Sequence, residues 1–404
     1  MGAVRIEASQ GDRRPVRITC DGDAIDAYEG EPVALSLIAG GVDVVARSTK
    51  FHRPRGPFCF VGRCEGCLVR LDGVPNVASC RVAAKDGMKV ERQNAFPSAD
   101  ADLLRTVDWF FRTGMDHHEF MAWLPEPLHT AMRATARRVS GLGLLPEAVG
   151  SPRPTTERVV AEVVIVGAGP AGLAAAAETA TAGRSTVVFD ENDVPGGHLL
   201  GDPDPDAPAR AARLADTARA AGAGIRLGVR VIAFYDGERM IAATDSGLVD
   251  VVARSVVIAT GTHPQTMLYP GNDLPGTVAA GAAVANARRW GVLPGKKIAV
   301  VGEPDLAAPV ARCLTDLKAN VVLGFGEGTK VVRARGRKRV AGVVISKDGR
   351  EETVACDAIV VASRGAPAFE LAQQGGCAVE FRPEAGFVVT TSTARVRAIG
   401  EVAA

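Results

Sequence analysis

The sequence predicts an α/β protein built from a small, mostly β N-terminal domain and a larger two-part region of parallel strands alternating with helices. Three observations predict it. Four of the eight cysteines crowd between Cys59 and Cys80, among short alternating strands. An apolar strand, Glu162–Val166, runs straight into Gly167-Ala168-Gly169-Pro170-Ala171-Gly172 and an alanine-rich helix. A second apolar strand, Lys297–Val301, ends on Gly302 in the same strand–turn–helix pattern. The 404 residues, 47% of them hydrophobic, suffice for two or three domains, each with its own core. Basic residues (47) and acidic residues (46) nearly cancel, which excludes a nucleic-acid binder that relies on bulk charge. No apolar run approaches the ~20 residues of a membrane span. Met1–Ile6 lacks a basic segment followed by an apolar core, so no secretory signal is read and the expected location is cytoplasmic.

Three regions follow one another, with expected boundaries at 1–97, 98–158 and 159–404. In the first, Val4–Ala8, Val16–Cys20 and Leu68–Leu71 alternate as strands do, and Val33–Ala39 reads as a short helix stopped by Gly40-Gly41. In the second, Leu103–Phe111 and Leu128–Val139 have helical spacing, and the glycines and prolines from Gly141 to Pro154 form a loop, giving a helical connector. In the third, strand–glycine turn–helix units recur, as in a mainly parallel sheet, with a second nucleotide-fold unit inserted at about 265–365.

The cysteines are spaced Cys59-x4-Cys64-x2-Cys67-x12-Cys80. Three thiolates on one loop and a fourth from a later turn can surround a two-iron core, and this order is that of plant-type [2Fe–2S] proteins. Gly56, Gly62 and Gly66 let the backbone turn tightly, where its N–H groups can reach sulfur. Zinc is the competing ligand, although zinc sites usually pair two C-x2-C units and only one is present. A redox disulfide at Cys64–Cys67 leaves Cys59 and Cys80 unexplained. The remaining cysteines, Cys20, Cys313, Cys356 and Cys377, lie in apolar contexts and read as packing residues.

At the first glycine turn, Gly167, Gly169 and Gly172, with Pro170 and Ala171 between them, allow a tight turn and the approach of a pyrophosphate to the helix N-terminus. The next strand, Ser185–Phe189, ends on Asp190-Glu191, where an acid can accept both ribose hydroxyls; Asp190, at the strand end, is favoured over Glu191. Such an acid also argues against a 2′-phosphate. Gly196, Gly197 and His198 of Pro195-Gly196-Gly197-His198 resemble the segment that passes the flavin in flavoprotein disulfide-reductase-type domains. Ala259, Thr260 and Gly261 resemble the strand end of the same proteins, and Gly400-Glu401 their late acid that meets the ribityl chain, with Glu in place of Asp. Val231 joins these as a candidate contact. Together they favour FAD, with NAD as the alternative at the same site.

At the second unit only Gly302 of the fingerprint remains. Glu303 and Asp305 would repel phosphate, and Leu306-Ala307 close the approach a glycine would leave open, so tight NAD(P)H binding is not expected there. Asp116-His117-His118-Glu119 reads as connector, since adjacent histidines point apart on a helix. The Asp202–Asp206 run lacks the glycine and distal Glu of a calcium loop. The basic run Arg333–Arg339 reads as a hairpin turn, with a docking patch for an acidic partner as the alternative. No Ser/His/Asp or Cys/His nucleophile stands out, so the catalytic residues are unknown.

With these residues quoted, the chain resembles the alpha subunits of heteromeric amine and amino-acid dehydrogenases: sarcosine oxidase, dye-linked L-proline dehydrogenase, opine oxidase and hydrogen cyanide synthase. Arg55–Cys80 resembles the family's ferredoxin-like segment, Ser140–Pro146 its connector and Gly271–Gly276 a characteristic loop. The resemblance implies a β-grasp ferredoxin-like domain followed by a Rossmann-type, disulfide-reductase-like FAD/NAD(P) domain. It further implies a [2Fe–2S] cluster, a nucleotide cofactor, and a beta subunit that carries a second flavin and the amine-oxidising site, with room for further small subunits. This chain would then relay electrons. A self-sufficient NAD(P)H-dependent flavin reductase and a non-redox, nucleotide-binding assembly scaffold remain as alternatives. Where the chain stops at Ala404, the family continues with a helix that helps close the flavin site; that remainder is expected to be truncated or to lie on another polypeptide.

Overall fold

The computed structural model describes residues 4–6, 13–49, 51–106, 125–139, 155–235 and 239–403. Two units emerge, and they do not follow the sequence order. One holds Met1–Val149 together with Thr266–Ala362, and the other holds Gly150–Gln265 with Ser363–Ala404.

In the first unit, Val16, Ile18 and Cys20 are buried while their neighbours Arg17 and Thr19 are not, the period-two signature of a strand with one covered face. A five-stranded sheet results, in the order Asp23–Tyr28, Pro15–Cys20, Lys89–Glu91, Leu68–Leu71, Val74–Ala78. The helix Val33–Ala39, six of whose seven residues are buried, covers it, with Val33 and Leu37 packed on Ile18, Ile25, Val69 and Val90. This is the β-grasp arrangement. Leu103–Thr106 forms a 3-10 turn, the rest of the expected run to Phe111 lying outside the described residues, and Glu126–Val139 is helical. Asp116–Glu119 and Ser140–Pro146 lie outside the described residues.

Residues Thr266–Ala362 contribute a four-stranded parallel sheet, ordered Thr277–Ala279, Ala358–Ala362, Ile298–Gly302, Val321–Gly324, and a three-stranded antiparallel one between 329 and 354. Although inserted in the nucleotide domain by sequence, this subdomain groups with the β-grasp domain, for identifiable reasons. Phe58 and Phe60 of the cysteine loop pack against its core, Arg339 pairs with Asp43, and Val4-Arg5 pairs as a strand with Val292-Leu293. The basic run does form the turn between Thr329–Gly336 and Val340–Lys347, but Arg339 folds inward to Asp43 instead of facing water.

The second unit is built on a seven-stranded sheet. Its parallel part runs Gly224–Leu227, Thr186–Asp190, Thr155–Val166, Gly247–Ile258, with Val396–Ala398 joined to the last; Arg239–Ala243 and Arg230–Tyr235 extend it antiparallel. The near-continuous apolar run Val163–Val166 suits a strand covered on both faces. The helix Pro170–Thr181 follows directly. Strand ends, glycine turn and helix start therefore meet at the carboxyl edge of a parallel sheet, where ligands bind in this architecture.

Candidate functional site

The four clustered cysteines lie on two segments held side by side. Cys59, Cys64 and Cys67 sit between the strands Pro54–Arg55 and Leu68–Leu71, and Cys80 in the turn Ser79–Arg81. Ser79 donates its backbone N–H (3.2 Å) and its hydroxyl (2.6 Å) to the Cys67 carbonyl, which locks the segments together. Cys59, Cys67 and Cys80 are buried and Cys64 is exposed. Gly62 adopts the left-handed conformation (φ +75°), as expected for a turning glycine. Gly66 serves close approach instead: a Cβ there would run into the carbonyl oxygen of Gly56.

The sulfurs stand as two pairs. Cys59 donates its thiol to Cys64, and Cys80 donates to Cys67. That bond, helped by backbone N–H groups of Gly66 and Phe58, pulls the Cys64 thiol down to about 5 against its desolvation; Cys67 is lowered chiefly by Cys80. The N–H groups of Val61 and Arg63 each reach Cys59 Sγ at 3.4 Å. Among the described residues no three of His, Cys, Asp and Glu converge on one metal position. A two-iron core takes two thiolates on each iron and hydrogen bonds to its sulfurs, and two thiol pairs with N–H donors aimed at Cys59 fit it.

In the second unit, Gly167 takes φ +110°, and Gly172 lies so close to the Gly167 carbonyl that a side chain there would overlap it. Gly169 is the N-cap of Pro170–Thr181, and no side chain caps that helix, so the N–H groups of its first turn, around Ala171 and Gly172, are placed for an anion. Around this helix start gather the other candidates. Gly196 donates to the Ala168 carbonyl (2.8 Å), and Gly197 packs on Gly169, where a Cβ would come within 2.8 Å of its Cα. A Cβ on Gly400 would come within 2.9 Å of the Ala171 side chain. Glu401 Oε2 lies 3.5 Å from His198 Nδ1 and 3.8 Å from where a Gly261 Cβ would stand. Ala259 donates to the Val166 carbonyl (2.8 Å), and Thr260 Oγ1 to that of Ala368 (2.8 Å). Pyrophosphate and sugar chain thus have a cradle that side chains would fill.

The two adjacent acids have different surroundings. Asp190 is buried at 8% exposure, and both of its oxygens are committed to protein donors: Oδ2 to Ala168 N–H (2.7 Å), Oδ1 to the N–H (2.8 Å) and Nδ2 (2.9 Å) of Asn192. Burial pushes its carboxyl above the usual range despite these bonds. Asp190 organises the glycine turn. Its neighbour Glu191 is more open and is held by Arg230 Nε at 2.8 Å. Val231, next to Arg230, is half-buried on the strand that passes the acids, where Val229 donates to the Asp190 carbonyl. Asn192 and Arg230 were missed from sequence. An Asn two residues beyond Asp190 is a local turn signal that could have been read; Arg230 arrives only through the sheet.

At the second glycine turn, Gly302 packs against the Ala362 carbonyl, Asp305 occupies the first helical turn, and Ala307 is fully buried where a phosphate would need access. The Asp202–Asp206 run leads into the helix Ala207–Ala220, and its carboxylates pair with Arg210 and Arg213. Cys20, Cys313, Cys356 and Cys377 are buried.

Comparison with known proteins fits both sites. Residues 13–95 match the 2Fe-2S iron-sulfur cluster binding domain family, and residues 161–324 the pyridine nucleotide-disulphide oxidoreductase family. The sarcosine oxidase subunit alpha of Rhizobium meliloti is 29% identical over 96% of this chain. The chain belongs to this alpha-subunit family. It spans 44% of that relative's length. Hydrogen cyanide synthase subunit HcnA of Pseudomonas aeruginosa is 34% identical over 20% of the chain and 78% of its own length. The L-proline dehydrogenase structure from P. horikoshii shares the fold at a TM-score of 0.74, with 23% identity, over 97% of this chain and 70% of that one. The chain is thus an oxidoreductase-family protein with an iron–sulfur domain and a flavin-type nucleotide domain. The matches indicate a [2Fe–2S] cluster and FAD as its cofactors. Among the described residues no helix is long and apolar enough to cross a membrane.

Proposed function

We propose that this chain is the electron-transfer subunit of a multi-subunit, flavin-dependent amine or amino-acid dehydrogenase or oxidase. In this reading a partner beta subunit carries a second flavin and oxidises the C–N bond, and this chain takes up the electrons. The observation that carries the reading is the two-pair cysteine loop in one polypeptide with an intact first nucleotide cradle. Cys59 and Cys64 would hold one iron, and Cys67 and Cys80 the other. When bound, such a cluster stores single electrons, and FAD exchanges one or two. The protein's own part is to hold the thiols in pairs, to aim the N–H groups of Val61 and Arg63 at Cys59, and to keep three of the four sulfurs from water. At the nucleotide site the first turn of Pro170–Thr181 would bind the pyrophosphate. Glu191, oriented by Arg230, would take the adenosine ribose hydroxyls, and Glu401 the sugar chain.

The native complex, purified anaerobically with its partner, tests this. The expected result is about two irons per copy of this chain, one FAD beyond the partner's flavin, and flavin and cluster bleached by the amine substrate. Zinc or no metal in the cysteine loop would overturn the reading. So would rapid bleaching by NADH alone, which would make the chain a nicotinamide-fed reductase.

A further inference from the structure

Beside the start of the helix Pro170–Thr181 stands a pair of opposite charges. His198 and Glu401 approach to 3.5 Å, each about half exposed, and they come from segments far apart in sequence. Both segments press on the same helix start, Gly197 on Gly169 and Gly400 on Ala171. A carboxylate beside an anion-binding helix N-terminus opposes the binding of a pyrophosphate. A charged imidazole next to it cancels that opposition.

We propose that His198 and Glu401 act as a charge pair that sets the affinity of the site for a dinucleotide pyrophosphate, the site binding more tightly while the imidazole is protonated. This rests on the reading that the pyrophosphate lies on the first turn of Pro170–Thr181. The other charged groups around the pair do not alter the sign. His198 also faces Asp202, which favours its charged form, and Arg210 from the helix Ala207–Ala220, which opposes it but is itself bound to Asp204 at 3.0 Å. The strands Ala366–Pro367 and Gly386–Thr391, packed against Gly400–Ala403, bring no charged side chain. Glu401 raises the proton affinity of His198 above that of a free histidine, and His198 in turn lowers that of Glu401. The carboxylate therefore stays ionised through the neutral range, and only the imidazole titrates. Below that titration the pair is neutral; above it, a net negative charge faces the phosphates. The dinucleotide's own phosphates do not titrate in this window, so the pH slope belongs to the protein.

The test is titration of the 404-residue chain with FAD, followed by quenching of flavin fluorescence, and with NAD, followed by calorimetry, from about pH 6 to about pH 9. For whichever nucleotide binds, the wild-type Kd should rise about five-fold across this range at low salt, and less at high salt. His198→Gln should bind with the weak alkaline affinity at every pH, because Glu401 is then never neutralised. Glu401→Gln should bind tightly up to the alkaline end, because no bare carboxylate is left there, and its remaining pH dependence should move to lower pH, since the imidazole then lacks the partner that raises its proton affinity. A purely structural role for His198 would instead lower the affinity of His198→Gln while keeping the slope. A pH-independent wild-type Kd, or a slope that survives in His198→Gln, overturns the proposal and leaves the nucleotide site standing. Absence of binding for both nucleotides at every pH overturns the site and the pair together.

Discussion

Asp190→Asn separates the two adjacent acids. The native carboxylate accepts three hydrogen bonds, at 2.7 Å from Ala168 N–H and at 2.8 and 2.9 Å from Asn192. An amide has one acceptor oxygen. Turned to keep both Asn192 bonds, it sets its NH2 against the Ala168 N–H, a donor facing a donor at the wholly buried Ala168. An unsatisfied buried donor costs about 1–3 kcal/mol, and the two surviving bonds lose their charge assistance. Part of this is offset because a neutral amide is cheaper to bury than the carboxylate, whose proton affinity burial already raises. The net, about 1–3 kcal/mol, falls on the backbone between Gly167 and Gly169, so FAD affinity should drop roughly 5- to 100-fold. FAD titration at neutral pH reads this directly, with Glu191→Gln measured alongside; that variant should weaken binding without disturbing the turn. Unchanged FAD affinity in Asp190→Asn would refute the assignment of this carboxylate to the turn.

Other outcomes follow from the same geometry. Gly66→Ala, whose methyl collides with the Gly56 carbonyl, should cost about 1–3 kcal/mol of local overpacking and lower iron per chain after reconstitution; Gly326→Ala, which meets nothing within 4 Å, should load normally. Phe58→Ala should remove a ring packed on the second subdomain, lowering stability by about 1–3 kcal/mol and shortening the lifetime of the visible iron–sulfur absorption in air. NADH added anaerobically to the FAD-loaded chain should leave the flavin oxidised, because Asp305 and the buried Ala307 close the second cradle; bleaching within seconds would contradict that.

Much of this was legible in the residues themselves because the signals are local. The C-x4-C-x2-C spacing, the strand before Gly167, the helix Val33–Ala39 and the hairpin around Arg337 all depend on near neighbours in the chain. What stayed hidden depends on distant contacts. That Cys80 stands beside Cys67 is set by the Ser79 bonds to the Cys67 carbonyl, across a twelve-residue separation. Which of Asp190 and Glu191 faces outward is decided by Ala168 and Arg230, one from the preceding strand end and one from the far side of the sheet. The grouping of Thr266–Ala362 with the N-terminal domain was equally invisible, since no local pattern announces that Phe58, Phe60 and Asp43 find their partners some two hundred residues or more downstream.

The phenylalanines on either side of Cys59 are rooted in the core around Val300 and Ile359. The second nucleotide-fold unit, whose glycine turn is occupied by Asp305 and the buried Ala307, is thereby the bracket on which the thiols are mounted. Loosening that core would leave every ligand in the sequence and still detune the metal, so the iron's tenure is a gauge of the integrity of this parallel sheet.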